Sequence, residues 1–298
     1  MTRRRLAYLA VLLAVAAVAA AAVVPATGSA SDGRFYLALG DSLSTGYQPD
    51  PSGVGGESHA GYVNDVESYE SRRLKRLRLV DLGCPGDTTT SLATGNGDFP
   101  LARRFHCDRS GGSQLAAAVA FLRAHHRRGE VPLITLDIGI NDLNRCAALT
   151  APNSCLRAGE RAIAINTPRI LRRLAAAAPK GAVLAQMTLY DTYLGKNPAS
   201  QSPSPLEAVF LSATREANST IRSDDAAAGF RTANVAGAYD VYDTSKVDWH
   251  GARFPQNLVR DCALTWACAA PPIGHNIHPN TRGYRVIARA FEQSVGRI

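Results

Sequence analysis

Short apolar runs alternate with longer amphipathic segments along the chain after residue 34. Five brief apolar runs are typical of buried strands, at 35–39, 79–82, 133–138, 183–187 and 230–235. The segments between and after them carry apolar residues at helical spacing, at 62–78, 113–128, 156–178, 206–228 and 281–295. Strands that alternate with helices predict an α/β fold with a five-stranded parallel sheet and helices on both faces. No repeat or linker interrupts the pattern, so we expect one domain.

The N-terminal segment has a different pattern from the rest. Arg3, Arg4 and Arg5 precede an unbroken apolar run of 19 residues from Leu6 to Val24, and small residues follow at 28–30. This arrangement predicts a secretory signal peptide over 1–30, a mature domain over 31–298 and a secreted, extracellular protein. A retained membrane anchor is the alternative, because the run is just long enough to span a bilayer.

Charge gives little further information about partners. The formal net charge is +8, and removal of the N-terminal segment would take away three arginines. Basic residues are scattered except in the run 72–78, where leucines interleave with them as on an amphipathic helix with a solvated basic face. No nucleic-acid-binding motif accompanies the charge, so we expect no nucleic-acid partner.

All six cysteines follow the N-terminal segment. An even count in an exported chain predicts three disulfides, with fifteen pairings formally possible. Because the cysteines fall into local couples, we favour Cys84 with Cys107, Cys146 with Cys155, and Cys262 with Cys268. A zinc site is the rival interpretation, but no Cys-x-x-Cys pair is present.

Three polar motifs carry the candidate chemistry: Gly40-Asp41-Ser42, Gly139-Ile140-Asn141-Asp142 and His278-Pro279-Asn280. Taken singly, each could be a helix cap or a turn. The first and second follow predicted strands, and the carboxyl ends of parallel strands meet at one edge of a sheet. A serine hydroxyl, an amide donor and a histidine at one edge indicate a serine hydrolase.

The chain resembles the SGNH hydrolases, also called GDSL esterases and lipases, over essentially its whole mature length. The resemblance rests on Leu39 to Ser44, on Gly86-Asp87-Thr88, on Gly139 to Asp142 and on His278-Pro279. It implies a flavodoxin-like three-layer sandwich. It also implies that Ser42 is the nucleophile, that His278 is the general base and acid, and that the oxyanion hole combines the amides of Ser42 and Gly86 with the Asn141 side chain. The dipole of a helix after Ser42 would assist the nucleophile.

One position departs from the family pattern. His275 stands where the family usually has an aspartate, three residues before the histidine. We therefore expect the backbone carbonyl of His275 to orient the His278 ring, because a carbonyl is an obligatory acceptor. A distant carboxylate is the alternative, with candidates at Asp240, Asp248 and Asp261. A metal site on the two histidines lacks a further ligand at suitable spacing, so we expect no metal and no cofactor.

These residues predict a secreted carboxylic ester hydrolase that forms an acyl-enzyme on Ser42. Its partner would be a small-molecule or lipid ester, with transient contact to a membrane or lipid surface, and we expect a monomer. The loops at 47–61 and 88–112 would form the walls of the site. Two alternatives stay open, a carbohydrate acetylesterase that uses Trp249 and Trp266 as aromatic platforms and a catalytically silent binding protein.

Overall fold

The structure is a computed structural model that describes residues 33–96, 107, 112–196, 198–199, 202 and 204–298. In chain order the strands are β1 (Arg34–Gly40), β2 (Gln48–Pro49), β3 (Gly55–Gly56), β4 (Leu77–Asp81), β5 (Leu133–Asp137), β6 (Val183–Met187), β7 (Arg231–Ala233), β8 (Lys246–Trp249), β9 (Ala252–Pro255), β10 (Thr265–Trp266) and β11 (Asn276–Pro279). The helices are α1 (Tyr62–Glu70), α2 (Thr89–Thr94), α3 (Gln114–Ala124), α4 (Ile140–Asn144), α5 (Asn153–Ala177), α6 (Pro205–Ala228), α7 (Val235–Ala238), α8 (Gln256–Leu264) and α9 (Thr281–Val295).

Five parallel strands form the central sheet in the order β4-β1-β5-β6-β7. Alternate residues of β1 face opposite layers, as a strand requires. Tyr36 and Ala38 lie in the apolar cluster shared with α1, α6 and α9, while Leu37 and Leu39 lie in the cluster shared with α3 and α5. Residues 33–298 form one compact unit. The predicted fold class is confirmed.

Two predicted helices are shorter than the sequence pattern suggests. α1 ends at Glu70 rather than at residue 78, and the basic run that follows is not helical. Leu77 pairs with Arg34 and Leu79 with Tyr36, so the last two residues of that run begin an edge strand instead. α3 ends at Ala124, and His125 Nδ1 contacts Glu130 Oε1 at 2.8 Å in the turn that follows.

The segment 236–279, between the last predicted strand and the last predicted helix, contains short elements. The β8–β9 hairpin, α8 and the β10–β11 pair all lie within it. None is long enough to produce a periodic pattern of several turns, which explains why sequence periodicity did not detect them. Thr265 pairs with Pro279 across the small β10–β11 sheet, so this pair sets the position of β11 and with it of His278.

Disulfides join the cysteines in the three predicted pairs. Their Cα atoms are 5.3 Å apart for Cys84 and Cys107, 5.8 Å for Cys146 and Cys155, and 5.0 Å for Cys262 and Cys268. Each bond closes a short stretch of chain, so each stabilises a local loop. In the part of the chain described here, no helix is both long and apolar enough to cross a bilayer. The predicted signal peptide lies outside the described residues.

Candidate active site

The structure brings Ser42 and His278 into direct contact. Ser42 Oγ lies 2.9 Å from His278 Nε2, although 236 residues separate them in the sequence. Ser42 follows the carboxyl end of β1, and His278 lies in β11. A hydroxyl at hydrogen-bond distance from an imidazole nitrogen is the arrangement that activates a serine nucleophile.

A turn fixed from both sides presents Ser42. The Gln114 side chain accepts from the Gly40 amide at 2.8 Å and donates to the Gly40 carbonyl at 2.9 Å. A side chain at position 40 would overlap Asp137, so this position needs glycine. The expected helix after Ser42 is absent: residues 42–46 form turns, in which the Tyr47 amide donates to the Ser42 carbonyl at 3.0 Å. The prediction of a helix dipole at Ser42 was therefore wrong.

Asn141 connects the nucleophile turn to the loop after β4. Its Nδ2 donates to Asp41 Oδ2 at 3.1 Å and to the Asp87 carbonyl at 3.0 Å. Asp41 precedes Ser42, and Asp87 follows Gly86, whose φ of 84° is in the left-handed region that favours glycine. The motifs around Ser42, Gly86 and Asn141 therefore converge at the carboxyl ends of β1, β4 and β5.

A buried pair of carboxyl groups lies beneath the nucleophile turn. Asp137 accepts from the Asp41 amide at 3.1 Å and from the Tyr62 hydroxyl at 2.7 Å. Burial raises the pKa of Asp41 to about 7. Burial and the Asp41 charge together raise the pKa of Asp137 well above its usual value. Burial therefore favours the protonated form of these carboxyl groups, and their hydrogen bonds stabilise the turn that carries Ser42.

The group that orients His278 differs from the expectation. His278 Nδ1 contacts Asn276 Oδ1 at 2.8 Å, not the His275 carbonyl. Asn276 Oδ1 also accepts from the His278 backbone amide at 3.0 Å, which identifies this atom as the amide oxygen. The ring nitrogen Nδ1 therefore carries the proton, and Nε2 is free to accept one from Ser42.

Strand geometry explains the correction. Residues two apart in a strand share a face, so Asn276 and His278 project to the same side of β11. The family pattern of an aspartate three residues before the histidine singled out His275. His275 Nδ1 instead contacts the Ala267 carbonyl at 2.9 Å.

The candidate carboxylates have other surroundings. Asp240 lies 3.7 Å from Arg260 and Asp248 lies 3.8 Å from Arg253, whereas Asp261 is buried near Gly195. None of them contacts the ring of His278 in the described structure.

Tyr47 is a second neighbour of the histidine that sequence reasoning missed. Its ring centroid lies 4.5 Å from that of His278, and its carbonyl accepts from the Tyr284 hydroxyl at 2.8 Å. Tyr47 precedes the β2–β3 hairpin, whose Gly53 approaches the Pro272 carbonyl closely. The hairpin therefore approaches the segment before β11, and Tyr47 borders His278, while the expectation that 47–61 forms a wall of the site stays a prediction. Most of the other expected wall, 88–112, lies outside the described residues.

Comparisons with known proteins identify the family and agree with the fold. Residues 38–286 match the GDSL-like lipase/acylhydrolase family. No curated protein sequence matches the chain. Among solved structures, an extracellular lipase from Streptomyces rimosus is similar with a TM-score of 0.55 at 14% identity, over 88% of this chain and 100% of that one.

Two further structures have the same fold. LAE5, an α/β hydrolase from the metagenome of Lake Arreo in Spain, has a TM-score of 0.52 at 21% identity, over 89% of this chain and 95% of that one. A phospholipase A1 from Streptomyces albidoflavus NA297 has a TM-score of 0.52 at 14% identity, over 88% and 99%. The resemblance inferred from the sequence is confirmed: the chain belongs to the GDSL-like lipase/acylhydrolase family and is a carboxylic ester hydrolase.

Proposed function

We propose that this protein is a secreted serine esterase that acts through an acyl-enzyme on Ser42. The contact of 2.9 Å between Ser42 Oγ and His278 Nε2 is the observation that supports it best. In the acylation step, Ser42 Oγ attacks the ester carbonyl while Nε2 takes its proton. The resulting imidazolium then protonates the departing alcohol, and water repeats the sequence to release the acid.

Asn276 replaces the usual carboxylate in this proposal. An amide oxygen on Nδ1 holds the reactive tautomer and the ring orientation, which is one of the two tasks of a triad acid. It carries no charge, so it stabilises the imidazolium less than a carboxylate would. The site therefore works as a Ser42-His278-Asn276 triad in which the third member mainly positions the second.

The oxyanion hole would combine the Ser42 and Gly86 amides with the Asn141 side chain, as the family resemblance implies. Both N–H bonds of the Asn141 amide are already donated, to Asp41 and to the Asp87 carbonyl. To stabilise an oxyanion, Asn141 must share one of these hydrogens with the substrate or exchange it. The partners also hold the amide in place before substrate arrives, so little reorganisation is needed.

The pH dependence of activity follows from the state of His278. Desolvation lowers the pKa of this histidine from 6.5 to about 4. The neutral ring is the reactive form, so kcat/KM should hold as the pH falls below 6 and decline only near 4. At pH 5.5 such a base is about 97% neutral, whereas an ordinary histidine would be about 9% neutral. Assays run at pH values from 3.5 to 8 measure this acidic limb of the pH profile. The p-nitrophenol released is read after an alkaline quench. A midpoint near 6.5 would contradict the lowered pKa of His278.

The substrate is a carboxylic ester of small or lipid type. The acetylesterase alternative needs Trp249 and Trp266 as exposed aromatic platforms, but both are partly covered. Trp249 packs edge-to-face on Phe254 with ring centroids 5.1 Å apart, and Trp266 Nε1 is buried. The disulfides are consistent with an oxidising, extracellular compartment. Export through a cleaved signal peptide over 1–30 and a monomeric mature protein complete the proposal.

A covalent ester analogue tests the mechanism directly. A fluorophosphonate should react with the active protein and add its phosphonyl group to one residue, which peptide mass spectrometry should identify as Ser42. In parallel, p-nitrophenyl esters from two-carbon to long acyl chains should be hydrolysed, with the optimum separating an acetylesterase from a lipase. Label on another serine, or no turnover on any ester by folded, disulfide-bonded protein, would reject the proposal. The second outcome would favour the silent binding protein.

A further inference from the structure

A basic groove lies at the edge of the sheet opposite the catalytic site. It has a volume of about 570 Å³ and is formed by the carboxyl ends of α3 and α5. Its charged lining consists of Arg123, His126, Arg173 and Lys180, and its apolar lining consists of Val119, Ala176, Ala177, Ala178 and Pro179. We call these nine residues the basic groove.

Topology places the basic groove away from Ser42. α3 leads into the first residue of β5, Leu133, and α5 leads into the first residue of β6, Val183. Ser42 and Asn141 instead follow the last residues of β1 and β5. Strands in this sheet are parallel, so these sites lie at opposite edges, separated by the length of a five-residue strand, which is about 16 Å.

The cations of the basic groove are exposed and lack acidic partners. Arg123, His126, Arg173 and Lys180 are all solvent-exposed. Across the described part of the chain, none of them forms an ion pair, although His126 Nδ1 contacts the Arg123 carbonyl at 3.1 Å. The nearby Glu130 is engaged elsewhere, with His125 at 2.8 Å.

A simpler interpretation is that these cations only compensate the dipoles of the two helices. Each helix carboxyl end is equivalent to about −0.5 elementary charge, so α3 and α5 together supply about −1. Arg123, Arg173 and Lys180 carry three formal positive charges and exceed that by about two charges. Arg127 and Arg128, both exposed, add to the excess just outside the groove. Dipole compensation therefore leaves a net positive surface.

The same edge carries further basic residues and the start of the described chain. Arg72, Arg73 and Lys75 are exposed in the connection from α1 to β4. The Arg34 guanidinium donates to the Lys75 carbonyl at 3.4 Å, so the first strand begins beside them. Whatever precedes Gly33 is joined to the domain at this edge.

We propose that the basic groove and its surrounding edge bind the surface of an anionic phospholipid bilayer. A groove lined by both cations and apolar side chains fits a molecule with a negative head group and an apolar body better than it fits a wholly polar polyanion. Binding in this way leaves Ser42 facing away from the bilayer. The enzyme would then hydrolyse esters that reach it from solution while it stays attached to a membrane.

Vesicle sedimentation tests the proposal. The purified protein should bind vesicles of equal phosphatidylglycerol and phosphatidylcholine more tightly than vesicles of phosphatidylcholine alone, and added salt should weaken the difference. Each cation near an anionic membrane contributes about fivefold to binding. The triple variant Arg123→Gln, Arg173→Gln and Lys180→Gln should therefore bind the anionic vesicles about 100-fold more weakly. Its kcat/KM on a soluble ester should not change.

A matched control separates the site from net charge. The variant Arg157→Gln, Arg161→Gln and Arg282→Gln removes the same charge from exposed positions near the catalytic edge. It should keep anionic vesicle binding within about threefold of the original protein. An equal loss of anionic vesicle binding in both triple variants would overturn the proposal. So would the absence of any preference of the original protein for anionic vesicles. Binding to soluble polyphosphate without binding to vesicles would also overturn it, and would assign the groove to an anionic polymer.

Discussion

Replacing Ser42 with alanine should lower kcat for a p-nitrophenyl ester by about 10⁶-fold, as loss of the nucleophile does in a serine protease. The substitution removes the oxygen that forms the acyl bond, and His278 then has no proton to accept from the enzyme. Substrate binding should change little, because Ser42 is small and only 8% exposed. Steady-state kinetics on the original protein and the variant, with fluorophosphonate labelling as a second readout, measure the effect.

Ser44→Ala is the matched control for this substitution. Ser44 lies in the same turn and is also buried, but its hydroxyl donates to the Asp41 carbonyl at 3.2 Å and does not contact His278. The Ser44→Ala variant should lose less than about tenfold in kcat, which corresponds to the cost of one neutral hydrogen bond. If Ser42→Ala kept more than about one part in a thousand of the activity while folded, another group would have to be the nucleophile.

Replacing Asn276 with leucine should lower kcat/KM by about 10³-fold. Leucine has a similar size but cannot accept from Nδ1, so the ring loses its fixed tautomer and orientation. The effect should be smaller than the loss of about 10⁴-fold seen when a charged triad acid is replaced by an amide, because the group lost here is neutral. Steady-state kinetics with a two-carbon ester measures it.

Asn276→Asp separates a positioning role from a structural one. A carboxylate at this place can accept the same hydrogen bond and also favours the charged ring. The variant should keep most of its activity, and the acidic limb of the pH profile should move upward from about 4. His275→Ala should leave activity nearly intact, because its side chain contacts only the Ala267 carbonyl. An unshifted limb in Asn276→Asp, or a large loss in His275→Ala, would show that the orienting group is another residue.

Much of the fold could be predicted because its strands are buried on both faces. The runs 183–187 and 133–138 are short and mostly apolar, and the structure places β6 and β5 there. The basic run after α1 could not be assigned in this way. Its leucines fit a helix and a strand equally well locally, and only pairing with β1 decides between them.

The site was predictable where the chemistry requires a particular residue type, and less so where it depends on neighbours. Ser42, Asn141 and His278 belong to short motifs, and the structure brings their surroundings together. Asn276 required knowledge that the segment is a strand, since only then does a spacing of two residues place both side chains on one face. Asp137 lies in a strand without any motif, and its role under the nucleophile turn depends on tertiary contacts with Tyr62 and Asp41.

The long separation between Ser42 and His278 has a consequence for how activity arises during biosynthesis. A ribosome adds the nucleophile 236 residues before it adds the base. A chain that stops anywhere before β11 therefore carries a serine with no proton acceptor. If Ser42 and His278 act as proposed, such fragments do not hydrolyse esters, even when the strands that surround Ser42 have formed. A cell that makes this protein would thus be protected from the hydrolytic activity of incomplete chains until translation has passed β11 and His278 has reached Ser42.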